Sequence, residues 1–161
     1  MPETSGEARE RTLMENEAFN RRVAVGDVWD RVIPHHFPGV VDEALEVLME
    51  RTSDNTRARA LVLTPSYLWQ VDMSRPSSQD DFKIVARCEP LIAMSMCQEI
   101  EVDEPGTMGA ISGFKITLDA PQSQWSVTIP LEGERLGDSG RRRVKAFADA
   151  VLKRVTDRAK R

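Results

Sequence analysis

Three arginines flank one short polar turn. Arg51 ends the segment ALEVLMER, the turn runs from Thr52 to Thr56, and Arg57 and Arg59 open the segment RARALVLT. Both segments alternate with a period of two, so side chains two apart point the same way. Arg51 shares its parity with Leu45, Val47 and Met49, while Arg57 and Arg59 share theirs with Leu61 and Leu63. If these apolar rows face a core, the three guanidinium groups continue the core-facing side past the core, beside the turn. Guanidinium forks placed there grip phosphate oxygens two at a time. Lys83 and Arg87 share one face of a further alternating segment, DFKIVARC, and add positive charge. Asp54, inside the turn, opposes an anion. The same parity also suits a solvated rim, because long cationic side chains bury their stems and keep the head in water.

A second basic surface lies at the C-terminus. Residues 138–161 carry nine Lys or Arg and three Asp or Glu, a net of +6, which leaves −10 on residues 1–137 and −4 on the whole chain. An acidic total of this kind disfavours a general nucleic-acid binder. The C-terminal cations fit a membrane-facing or acidic-partner surface, and equally a wet helix face near the negative end of the helix dipole. Other chemistry is thinly supplied. His35 and His36 are the chain's two histidines, with no second ligand pair at metal spacing. Trp29, Trp69 and Trp125, with Met94 and Met96, read as core residues. The serine in Gly109–Gly113 sits in the wrong place for a nucleophile elbow, and no phosphate-cradling glycine loop occurs. With no acid–base or nucleophilic set, the expectation is a non-enzyme with no metal and no cofactor.

The elements that must position these groups follow from periodicity. The 161 residues suffice for one domain with a short appendage, and 40% hydrophobic with 30% charged residues is a globular composition. No run approaches the roughly 18 apolar residues of a membrane span. The polar, acidic start is expected to be neither a signal nor a transit peptide. Cys88 and Cys97 form no framework and are expected to be reduced intracellular thiols. Residues 1–22 offer a thin apolar stripe of Leu13, Met14 and Phe19. Gly26–Ile33 suggests a short helical or irregular turn, and Pro34 and Pro38 bracket an extended stretch. From Ala44 onward seven strand candidates follow: ALEVLMER, RARALVLT, SYLWQVDM, DFKIVARC, LIAMSMC, GFKITLDA and QWSVTIPL. An acidic loop, QEIEVDEPGTMGAIS, is expected between the fifth and sixth. After Gly133 the period changes. Val144, Phe147, Ala148, Val151, Leu152 and Val155 mark a helix over about 139–159, with Asp138 or Ser139 as its cap. Short connections predict antiparallel neighbours. The expected fold is mainly β: a seven-stranded antiparallel curled sheet or partly open barrel, closed at one end by a C-terminal amphipathic helix.

This order of elements resembles the pleckstrin-homology-like fold, and RARALVLTPSYLWQVD is similar to the second and third strands of the tail-homology-1 domain of class I myosins. The resemblance covers roughly residues 44–159 and makes residues 1–43 a partly helical or disordered extension before a domain at 44–161. It implies a phosphoinositide site of a basic residue on the first strand and a basic-x-basic pair on the second, matched by Arg51 and by Arg57 and Arg59. Arg51 stands where the family usually has Lys. Tyr67 is the family's accompanying third-strand tyrosine, and Lys83 supplements the charge. The implied function is a cytoplasmic module held peripherally at phosphoinositide or other anionic membrane lipid. The alternative is a protein-interaction scaffold, cytoskeleton-associated, that binds no lipid.

Overall fold

The computed structural model describes residues 33–52, 57–74, 83–102 and 111–160. The N-terminal stripe of Leu13, Met14 and Phe19, together with Trp29, Asp54 and Phe82, lies outside the described residues. The chain divides into two compact units, residues 1–90 and 91–161.

In the first unit, α1 (Ile33–His36) precedes four strands: β1 (Glu46–Arg51), β2 (Arg57–Leu63), β3 (Tyr67–Ser74) and β4 (Lys83–Pro90). They form one antiparallel sheet in sequence order. Alternation and β-branched residues suit these strands to a sheet, and short turns make sequence neighbours pair. The stretch bracketed by Pro34 and Pro38 is therefore not extended throughout, since its first part is a helical turn closed by the Phe37 N–H on the Ile33 carbonyl at 2.8 Å. Proline is tolerated in a first turn, where its missing N–H would have no helical partner. Gly39, at φ +93°, then turns the chain toward Val40.

One face of this sheet carries the unit's apolar cluster. Val47 and Met49 on β1, Ala58, Ala60 and Val62 on β2, and Val71 and Met73 on β3 pack with Ile33, Val40, Val41 and Ala44. Phe37 joins them, its ring 6.4 Å from that of Trp69 in an edge-on arrangement. The boundary expected at residue 43 thus falls inside one packed cluster, and residues 33–44 are a built part of the first unit. The opposite face is also buried at Leu48, Leu61, Leu63 and Leu68.

The second unit holds β5 (Ser95–Val102), β6 (Ile111–Ala120) and β7 (Trp125–Ile129), an antiparallel sheet in that order, followed by α2 (Asp138–Ala159). One face carries the buried Ile116 and Leu118 of β6 opposite Ile129 and Val127 of β7, with Trp125 opposite Ala120 beside them, and the other face exposes Cys97, Lys115, Ser126 and Thr128. α2 packs against β6 and β5 and buries Val144, Phe147, Ala148, Val151 and Val155, the stripe that the spacing marks. Its N-cap is Gly137, which makes no side-chain cap, so neither Asp138 nor Ser139 caps. Asp138 instead pairs with Arg141 one turn on.

The strands therefore form two sheets, of four and three, and these are not closed into a barrel. The seven-stranded sheet is interrupted where Pro90 ends β4 and the bend at Leu91–Ala93 follows. Proline cannot donate to a ladder. Leu91–Ala93 form a bend with Leu91 buried, so LIAMSMC does not begin as a strand. β5 starts four residues later and runs through Gln98–Val102, the segment expected to be loop.

The clearest consequence of this packing concerns α1. Ile33 is completely buried. Ile33→Ala is expected to lower stability by about 2–4 kcal/mol, read as a lower urea midpoint with an unchanged slope. A change below ~0.5 kcal/mol would mean that this segment is not held in the cluster.

Candidate functional site

The β1–β2 hairpin is closed by one threonine. The Thr52 N–H donates to the Arg57 carbonyl at 2.9 Å, the Thr52 hydroxyl donates to the same carbonyl at 3.2 Å, and the Arg57 N–H donates back to Oγ1 at 3.1 Å. This fixes the pairing: Arg51 lies opposite Ala58, and Glu50 opposite Arg59. Directly opposed residues project from the same side of a sheet. Arg57 and Arg59 therefore share a face with Glu50 and Leu48, and Arg51 lies on the other face with Val47 and Met49. The expected convergence of three arginines does not occur.

Arg59 is buried. Its Nε donates to Glu50 Oε2 at 2.8 Å and its Nη2 reaches the same oxygen. The two side chains are only 7% and 9% exposed. The next strand places Asp72 opposite Arg59, and Gln70 Nε2 holds that carboxylate at 2.8 Å. A further pair on this face joins Arg87 Nε to Glu89 Oε1 at 2.7 Å. Desolvated charges persist only when so matched. Glu50 and Arg59, the buried pair, are thus matched to each other, whereas the Arg87 side chain is half exposed beside the buried Glu89.

Tyr67 stands at the wrong end. It is exposed and opposes Pro90, next to the β2–β3 turn, on the face of Arg51. The Thr64 hydroxyl closes that turn on Tyr67 as Thr52 closes the first on Arg57. At about 3.3 Å per residue the length of β2 puts the two turns roughly 20 Å apart.

What the register does bring together is Arg57, Ser74 and Lys83. They form one row across β2, β3 and β4, on one face, at the ends of these strands. Arg57 and Lys83 are exposed, and among the described residues neither side chain has a hydrogen bond or ion pair. Neighbouring strands lie about 4.8 Å apart, so two strand spacings separate their backbones by roughly 10 Å. Both long side chains can close on one phosphate across the Ser74 hydroxyl. Ser74 was not legible as a member, because its row is defined by pairing with strands on both sides.

His35 and His36 are exposed, with rings edge-to-face at 4.9 Å. No three His, Cys, Asp or Glu among the described residues gather in a way that would hold a metal ion. No helix among them is long and apolar enough to cross a membrane. Comparison with protein-family models, with curated proteins and with solved structures finds no match.

The buried pair makes a direct prediction. Arg59→Ala should destabilise the protein by about 3–5 kcal/mol, because it strands the Glu50 carboxylate. Glu50→Leu combined with Arg59→Met should recover most of that loss in chemical denaturation. A double variant no more stable than Arg59→Ala alone would show that the cost lies elsewhere.

Proposed function

We propose that this chain is a non-enzymatic docking module of the pleckstrin-homology-like kind that holds an anionic lipid headgroup at the Arg57–Ser74–Lys83 corner. The observation that carries the reading is the pair of exposed cations, Arg57 and Lys83, in one row without partners among the described residues. Two antiparallel sheets of four and three strands followed by one helix support the fold assignment. The chemistry is electrostatic and geometric. Arg57 supplies a planar fork, Lys83 a compact charge and Ser74 a hydroxyl, and together they match the oxygens of a phosphomonoester.

The affinity is modest by construction. Two cations act inside a chain of net charge −4, and the sequence between β1 and β2 carries the acidic Asp54. At physiological salt the screening length is about 8 Å, so the corner acts on a headgroup in contact and attracts little from afar. Binding is therefore headgroup-specific and falls with added salt. A protein-docking role without lipid, cytoskeletal by the resemblance, is the second reading. The solvent-exposed edge strand β5 favours it.

Vesicle co-sedimentation separates these. The wild type should sediment with phosphatidylcholine vesicles containing phosphatidylinositol bisphosphate, and much less with phosphatidylserine at matched charge. Arg57→Glu with Lys83→Glu should abolish this, whereas Arg51→Glu, on the opposite face, should retain it. Equal losses in the two variants would remove the corner from the site. No sedimentation of the wild type would remove lipid altogether.

A further inference from the structure

β5 is an edge of its sheet: it pairs with β6 on one side, and among the described residues no other backbone hydrogen bond involves it. Seven of its eight residues are exposed and Met96 is half-buried. Its two faces differ. Met96, Gln98, Ile100 and Val102 lie on the apolar side of the sheet, opposite Leu118, Ile116, Phe114 and Ile111. Ile100 and Val102 remain 48% and 55% exposed there. The other side carries Ser95, Cys97, Glu99 and Glu101, with Glu99 paired to Lys115 at 3.1 Å. A free edge with exposed β-branched side chains is a template for another strand.

The sequence of β5 chooses its own partner. When two copies of a strand pair antiparallel about a twofold axis, matched faces require each residue to meet one of the same parity. Centring on Glu99 sets two Glu99 carboxylates against each other. Centring on Ile100 sets Glu99 against Glu101 twice. Both registers oppose like charges directly, which is destabilising. Centring on Cys97 avoids this but pairs only Ser95–Glu99 within the strand and leaves Ile100 and Val102 uncovered. Centring on Gln98 opposes no like charges, covers Ile100 and leaves only Val102 outside the paired stretch. Met96 then faces Ile100, Cys97 faces Glu99, Ser95 faces Glu101, and Gln98 faces Gln98 on the axis. The apolar pair repeats on either side of the axis, no two carboxylates meet, and Ser95–Glu101 is paired throughout.

The geometry points to β5 as a self-association edge, by which two copies of this chain join their three-stranded sheets into one of six strands in the register centred on Gln98. The Gln98 amides, each a donor and an acceptor, can bond to one another across the axis. The interface is isologous, so it closes at two copies and leaves no second β5 edge to propagate a fibre. It uses none of Arg57, Ser74 or Lys83, and stands whether or not the headgroup corner binds.

Sedimentation velocity of the full chain over a concentration series should show a reversible monomer–dimer equilibrium. Ile100→Lys, at an exposed position, should shift it at least tenfold toward monomer with an unchanged thermal transition. Register is read by cross-linking. In a Cys88→Ser, Cys97→Ser background, Gln98→Cys should give a disulfide dimer under mild oxidation, since opposed antiparallel residues have the Cα separation that a disulfide needs. The parent chain, whose Cys97 faces Glu99, should not cross-link. A wild type that stays monomeric throughout the series overturns the proposal, including the case where it captures an added peptide strand instead. Cross-linking through native Cys97 while Gln98→Cys fails overturns the register.

Discussion

The closure of the first hairpin by Thr52 decides what each side of the four-stranded sheet can do. Its hydroxyl takes the Arg57 N–H and gives its own proton to the Arg57 carbonyl, which satisfies backbone groups where the ladder ends. It also sets the register. In a strand a shift of one residue transfers every side chain to the other face. Here such a shift would expel Val47 and Met49 from the cluster that holds Ile33 and Val40. Both faces of this sheet carry buried residues, so no one-residue slip preserves the packing. Thr64 repeats the same bonds at Tyr67, and β2 is thereby pinned at both ends.

The Glu50–Arg59 pair is the second consequence of that register. A slip of two residues would preserve the faces, and apolar contacts alone would oppose it weakly. It would set Arg59 opposite Leu48 or Thr52 and leave two charges desolvated and apart. An uncompensated buried charge costs several kcal/mol, which is large against the usual margin of 5–15 kcal/mol for a whole domain. The pair adds little net stability over an apolar pair of equal volume. Its effect lies in the states that it excludes, and it covers the slip that hydrophobic parity leaves open.

Most of the fold was legible because alternation is a local property. Six strands and the C-terminal helix lie where their period places them, to within a few residues. β5 was obscured because Gln98, Glu99 and Glu101 have poor strand propensity and face solvent. Their strand state comes from pairing with β6, including Glu99 opposite Lys115. The site was less legible for a related reason. Parity within a strand is read from one segment, but parity between strands belongs to the turn. Thr52 opposite Arg57 makes odd residues of β1 face even residues of β2. Arg51 and Arg59, alike in number, are thus separated by the sheet itself. Lys83, by contrast, joins Arg57 only through Ser74, a relation that no single stretch of sequence contains.

Two of the four sheet edges, β4 and β5, contrast in a way that bears on function. β4 ends in Pro90 and exposes Lys83 and Arg87 around Val85, which is how natural sheets discourage strand addition: charge along the edge and a residue that cannot donate. β5 has neither Lys, Arg nor Pro. Its irregularity is confined to the bulge between Glu101 and Val102, at the strand's far end. A guarded edge can carry exposed cations such as Lys83 at little risk, because charge along the edge repels another strand. An edge without such guards is safe only if its pairing is finite. The acidic residues of β5 supply that limit: by forbidding the registers centred on Glu99 and Ile100, they restrict what an open ladder would otherwise accept. The overall charge of −4 therefore describes neither edge. Positive charge guards one, and negative charge on the other narrows the strands it can take.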